Sequence, residues 1–265
     1  MQDVVRLTRE LRAGIECGRE GVRGNGFAGN PGLEGIGAFV LLRATVRGRV
    51  DPRTGMLVNI KEVDRVLRGA GVARLREGFE APRGSEPAAL AAEGIFAVVR
   101  EGLLPHEVER LELWVSPYLA FAVNGKEAGV VRVSLRFEFS AAHRLHSAAL
   151  SAEENRQVFG RCNNPSGHGH NYELEVTVAG KPDERGQVVS IGALQRAVNE
   201  RVIDVFDHKH LNVDCEEFRQ AGGVNPTVEN IARVIWGRLA GQVPGKLVRV
   251  RLWETPKTVC EYEGE

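Results

Sequence analysis

Val176–Ile191 reads VTVAGKPDERGQVVSI and Ala44–Ile60 reads ATVRGRVDPRTGMLVNI, one pattern written twice with a single extra residue in the earlier copy. A repeat within one chain divides the fold before any element has been assigned, so everything else is read outward from this pair. Leu252–Pro256 (LWETP) echoes Leu113–Pro117 (LWVSP), Pro226-Thr227 falls on Pro87-Ala88, and Phe137–His143 (FEFSAAH) lines up with Arg9–Ile15 (RELRAGI). The chain therefore reads as two copies of one unit, residues 1–128 and 129–265.

In each copy a strand (Val130–Ala141; less regularly Val4–Ala13) leads through a loop to a second strand (Asn171–Ala179; Phe39–Arg49), which ends at the turns PDERG and DPRTG. Ile191–Val205 carries Leu194, Val198, Val202 and Val205 at helical spacing, and a second helix opens at Pro226-Thr227 and runs to Leu239. Lys246–Trp253 then alternates Val248, Val250 and Leu252 against Arg249 and Arg251, and Lys257–Tyr262 returns as a last strand. The order is ββααββ, twice: an α+β fold in which each unit has a four-stranded antiparallel sheet with two helices on one face. Such a sheet has exposed edges, which are a liability unless paired. Closing it into a barrel across subunits removes them, so a homo-oligomer is expected.

Bulk properties narrow the function. With 35 basic and 35 acidic residues the formal net charge is zero, and the basic residues are not clustered, so nothing points to nucleic acid. No segment is apolar for long enough to span a bilayer, and MQDVVRLTRELRAG lacks the apolar core of a signal peptide. A cytoplasmic location is expected. Cys17, Cys162, Cys215 and Cys260 are widely spaced with no CxxC, which suits a reducing compartment; Cys162 sits among charged and metal-binding groups, and the others read as packing residues.

The chemistry is concentrated in Ser140–Tyr172, which holds His143, His146, His168, His170 and Cys162. His168 and His170 are two apart, so on a strand both imidazoles face one way. His143, at the end of the preceding strand, would supply a third nitrogen and leave a fourth position open, the pattern of a catalytic zinc. His146 reads as a neighbour. Asp207 and His208, in FDHKHLN, are either an oriented acid–base pair or a polar loop after a helix. Near Cys162 in space, they would make a Cys/His/Asp system. The repeat supplies an internal control. His143 falls on Ile15, His168 on Ile36, His170 on Ala38, Glu254 on Val115 and Glu229 on Leu90, while Cys162 falls near Asn30 and Asp207-His208 near Arg76-Glu77. The apolar pattern is common to both copies; the polar groups belong to the second.

HRLHS (143–147), SAEEN (151–155), VFGRCNNPSGHGHNY (158–172), FDHKHLN (206–212), PTVEN (226–230) and WETP (253–256) resemble, in order and spacing, the 6-pyruvoyltetrahydropterin synthase family. The resemblance spans residues 131–265; the first half is similar to the family's scaffold, the tunnelling fold (T-fold), without its motifs. It implies a zinc lyase that eliminates triphosphate from 7,8-dihydroneopterin triphosphate. By motif, His143, His168 and His170 would hold Zn2+, Cys162 would be the general base, Asp207 and His208 would complete the proton relay, and Glu254, with Thr227, would bind the pterin. Arg161 and Lys209 lie near these motifs as candidates for the triphosphate. Family members form two stacked rings of three, so a tandem chain implies a homotrimer imitating that hexamer; the two kinds of unit either segregate into separate rings or alternate, and alternation would separate Asp207-His208 from a neighbour's Cys162. The related 6-carboxytetrahydropterin synthases usually have a shorter spacing between the cysteine and HGH than separates Cys162 from His168. A non-catalytic pterin-binding or assembly protein is the alternative from another class.

Overall fold

A computed structural model describes residues 3–16, 29, 32–82, 86–219 and 222–264. Cys17 and Asn30 lie outside them. The chain forms two compact units, Met1–Val133 with Ala179–Val188, and Ser134–Val178 with Val189–Glu265.

The first unit contains β1 (Val4–Ile15), β2 (Ala38–Arg49), α1 (Ile60–Val66), α2 (Val72–Phe79), α3 (Ala88–Gly102), β3 (Glu107–Ser116) and β4 (Leu119–Asn124). Its strands lie in the order β1-β2-β3-β4, each antiparallel to the next. Alternation decides the faces. Leu11, Ala13 and Ile15 of β1, Leu42, Ala44 and Val46 of β2, and Leu111 and Leu113 of β3 are buried, as are Ala92, Ile95 and Val99 of α3, which packs on β3 and β4. Each Leu, Ile or Val among them contributes about 1.5–3 kcal/mol by leaving water. The intervening positions carry ion pairs, Arg43 reaching Glu10 at 2.8 Å and Glu112 at 3.6 Å.

The second unit contains β5 (Val131–His143), α4 (Ala152–Phe159), β6 (His168–Gly180), α5 (Ile191–Val198), α6 (Asp204–Phe206), β7 (Lys209–His210), α7 (Leu211–Asp214), α8 (Val228–Leu239), β8 (Lys246–Thr255) and β9 (Thr258–Tyr262). The sheet order is β5-β6-β8-β9, with β7 parallel to the end of β5 and β9 antiparallel to β8. Side chains match across β5 and β6 in opposite directions: Ser134 bonds Thr177, Arg136 bonds Glu175 and Ser140 bonds Asn171. Tyr172, Leu174, Val176 and Val178 form the buried face with Leu194 and Val198 of α5 and Ile231, Ile235 and Leu239 of α8. On the other face Glu175 is 2% exposed and is held by Arg136 at 3.0 Å and Arg249 at 3.1 Å.

Three differences from the sequence reading have local causes. The segment after β5, expected to be a loop, contains α4, which a capping box starts: Ser151 Oγ accepts from the Glu154 N–H and Glu154 Oε2 accepts from the Ser151 N–H. Asn155 is its one buried residue, so no apolar stripe marks it. The helix expected over Ile191–Val205 is interrupted by a π-helical turn, Asn199–Ile203, with Val198, Val202 and Phe206 still buried on one side. The first unit has the same device at Leu67–Gly71, between α1 and α2. Finally, β6 starts at His168 rather than Asn171 and β5 runs on to His143, so all three metal-candidate histidines stand on strands. Among the described residues no helix is long and apolar enough to cross a membrane.

Candidate metal and acid–base site

The ends of β5 and β6 bring His143, His168 and His170 together, with ligand nitrogens all within 4.8 Å of one another. His143 is fully buried, and its Nδ1 lies 2.7 Å from the Pro226 carbonyl oxygen. That oxygen can only accept, so the proton belongs on Nδ1 and the lone pair on Nε2 faces the other rings, the outer-shell arrangement that orients a metal ligand. His143 Nε2 and His168 Nε2 are 3.1 Å apart. Nitrogens about 2.0–2.1 Å from one tetrahedral zinc stand roughly 3.3 Å apart, so the spacing suits a shared ion. His170 Nε2 and His168 Nδ1 are buried with no hydrogen-bond partner among the described residues. Burial first, and then the neighbouring imidazoles, push His143 down from 6.5 to about 4; burial and then His170 push His168 down as well. His143 and His168 are thus held neutral, the form that ligates. The residues present fit a divalent metal.

Glu254, at the end of β8, stands at the same place: its Oε1 is 3.5 Å from His143 Nε2 and 3.8 Å from His170 Nε2. Tyr172 lies beneath the triad, fully buried, with its hydroxyl 3.5 Å from His143 Nδ1. Burial, followed by the charges of Glu254 and Cys162, raises its pKa and keeps the phenol protonated. Cys162 is half-buried on the 3-10 turn Gly160–Asn163, and its carbonyl accepts the Leu145 N–H at 2.8 Å, tying that turn to the chain just beyond His143.

Asp207 and His208 form a second cluster. Asp207 Oδ1 accepts the Ser140 N–H and Oδ2 meets His208 Nδ1, both at 2.8 Å. The Ser140 bond leads the causes that lower the Asp207 pKa, so the carboxylate stays charged and fixes His208 Nδ1 as the protonated nitrogen. His208 has φ 57, a left-handed conformation uncommon outside glycine, and its N–H donates to Ser140 O at 2.6 Å. Its side chain is 83% exposed. His208, Lys209 and His210 share an open groove of about 460 Å³ with Ser140, Asn171 and His170. Thr227 is the N-cap of α8, its Oγ1 accepting from the Asn230 N–H.

The structure thus gathers four of the sequence-predicted residues, the three histidines and Glu254, around one point. It sets His208 in a groove that reaches His170, with Asp207 behind it, and gives Thr227 a capping bond. The sequence reading missed the Pro226 carbonyl and the Ser140 N–H, main-chain groups with no signature of their own. It also missed Tyr172, whose place below HGH follows from the same period-2 alternation that aligned the histidines.

The profile of the 6-pyruvoyl tetrahydropterin synthase family matches residues 132–265. The 6-pyruvoyl tetrahydrobiopterin synthase of Poecilia reticulata is 46% identical over 129 residues, 48% of this chain and 86% of that protein. The human protein of the same name is 43% identical over 136 residues, 51% of this chain and 92% of its own. The solved Caenorhabditis elegans 6-pyruvoyl tetrahydropterin synthase is 38% identical, covers 51% of this chain and 96% of its own, and has a TM-score of 0.48. By the extent of the profile match and the identity to these relatives, this chain belongs to the 6-pyruvoyl tetrahydropterin synthase family.

Proposed function

We propose that this protein is a zinc-dependent lyase that converts 7,8-dihydroneopterin triphosphate to 6-pyruvoyl-tetrahydropterin with elimination of triphosphate. The observation that carries the reading is the triad His143, His168 and His170 beside Glu254, in a chain whose relatives bear the name of that synthase. The three histidines would hold the metal, which when bound supplies Lewis-acid polarisation of the substrate's side-chain oxygens and so acidifies the adjacent C–H bonds. The remaining chemistry is positioned proton transfer, typically worth about 10²–10⁴-fold in rate. Cys162, as thiolate, takes the proton from carbon. His208, oriented through Nδ1 by Asp207, offers Nε2 to exchange protons. Glu254 anchors the pterin, since a carboxylate matches two adjacent N–H donors with a bidentate charge-assisted pair. Thr227 is assigned to the pterin as well, by motif. Lys209, in the groove with His208, and Arg161 are the cations assigned to the triphosphate.

The tandem arrangement, with units at 1–128 and 129–265, belongs to this proposal. The recurrence of a four-stranded order and of a π-helical turn, after α1 in one unit and after α5 in the other, supports it. Three chains would then supply six units, and a homotrimer with barrel closure would pair the sheet edges.

The test is to incubate the purified protein with 7,8-dihydroneopterin triphosphate and identify the product by mass. A 6-pyruvoyl product with released triphosphate is expected. A carboxylated product with loss of acetaldehyde would overturn the proposal in favour of a 6-carboxytetrahydropterin synthase. Substrate bound and recovered unchanged would instead indicate a non-catalytic pterin-binding protein.

A further inference from the structure

Arg144 follows His143, just beyond the end of β5, and is half-buried. One side chain takes up its main chain: the Arg144 N–H donates to Asn212 Oδ1 at 2.7 Å, and Asn212 Nδ2 donates back to the Arg144 carbonyl at 3.1 Å. A carboxamide offers the donor and acceptor of a peptide group, so Asn212 continues the parallel pairing of β5 with β7 beyond Ala142 and His210. Asn212 belongs to FDHKHLN, the segment that carries Asp207 and His208. The end of β5 is thereby fixed to that segment.

The Arg144 side chain reaches a third segment. Its Nε stands 3.2 Å from both the carbonyl oxygen and the Oδ1 of Asn163, the residue after Cys162. His146 Nδ1 lies 3.1 Å from the same Oδ1, and the Leu145 N–H donates to the Cys162 carbonyl at 2.8 Å. Asn163 is the one buried residue of the 3-10 turn Gly160–Asn163, so the turn has little packing of its own to place it. Hydrogen bonds from a charged donor to a buried acceptor are the stronger kind, and here they do the placing. The first unit is the contrast. Ile15 falls on His143, so Glu16 falls on Arg144, and Glu16 Oε1 accepts the N–H groups of Glu34 and Gly35, which fall on Ser166 and Gly167. The end of the strand does not by itself require an arginine.

We propose that Arg144 is a positioning residue for the reaction: through Asn163 it sets the Cys162 turn in register with the metal-candidate His143 and with the Asp207-His208 segment. The inference rests on the reading of Cys162 as the general base. A shift of about 1 Å in a reacting group can cost about 10²-fold in rate. Lysine keeps the charge of Arg144 without the planar guanidinium, and glutamine keeps neither.

Arg144→Gln and Arg144→Lys in the full chain test this. In Arg144→Gln, kcat on 7,8-dihydroneopterin triphosphate is expected to fall about 10²-fold, with KM and zinc content as in the wild type. Arg144→Lys is expected to recover part of that loss. Without substrate, exchange of the Leu145 amide hydrogen, followed by fragment mass spectrometry, is expected to quicken about tenfold in Arg144→Gln. An unchanged kcat, a loss carried by KM, zinc lost in step with turnover, or a Leu145 amide exchanging at the wild-type rate would each overturn the assignment. Arg144→Lys, compared with the wild type in the same two measurements, serves if Arg144→Gln does not fold. A wild-type chain that leaves the substrate unchanged would overturn the lyase reading, and the Leu145 exchange would still decide whether Arg144 holds the turn.

Discussion

At corresponding positions of two four-stranded sheets, the first unit presents Ile15, Ala38 and Val115 and the second presents His143, His170 and Glu254. The buried strand positions behind them are apolar in both: Leu42, Ala44 and Val46 in one, Leu174, Val176 and Val178 in the other. The shared π-helical turns carry the same lesson, since a feature often found at functional sites occurs equally in the unit without the histidines and so serves the scaffold. In the proposed reading the fold is written in the residues the units share, and the chemistry in a handful that they do not.

The sharpest way to break this comparison is to remove one polar group from the second unit. Cys162→Ala is expected to lower turnover by about 10²–10⁴-fold with metal content and pterin binding intact; unchanged turnover in a steady-state assay would remove Cys162 from the mechanism. Next come the ion pairs on the outer sheet faces. Glu175→Ala removes the buried carboxylate that Arg136 and Arg249 share and is expected to cost about 3–5 kcal/mol, whereas Arg43→Ala, at a side chain 36% exposed, is expected to cost no more than about 1 kcal/mol. Urea midpoints for the two variants measure the contrast, and equal shifts would deny it.

Acid should act on the second unit through its histidines. His143 is held at about 4 against 6.5 in the unfolded chain, so between those values the unfolded state binds the extra proton. The stability that neutral His143 contributes is full above about pH 6.5 and is lost as pH falls towards 4, on the order of 3 kcal/mol in all. Denaturant curves of metal-free protein at pH 7 and pH 4.5 would show it, and His143→Leu should flatten the difference. A small effect is also expected at Thr227→Ala, about 1 kcal/mol through loss of the α8 cap. A fall in pterin affinity beyond what the stability change explains would separate a substrate contact from the cap.

Much of this was legible in the sequence because periodicity and repetition report burial. The strands, α8 and the grouping of His143 with HGH follow from alternation and from the position of His143 at a strand end. What was not legible had no pattern to show. Helix α4 has no apolar stripe, and only SAEEN, a capping box, marks its start. The Pro226 carbonyl that fixes the His143 tautomer is a main-chain atom that any residue would supply. The left-handed His208 is placed by main-chain bonds to Ser140, far away in sequence.

The central claim, that two units share a scaffold and one carries the chemistry, is tested most directly by counting metal. Elemental analysis of the purified chain and of a His168→Ala variant should give about one zinc per chain and close to none, respectively. Two metals per chain, or one that survives loss of His168, would contradict it.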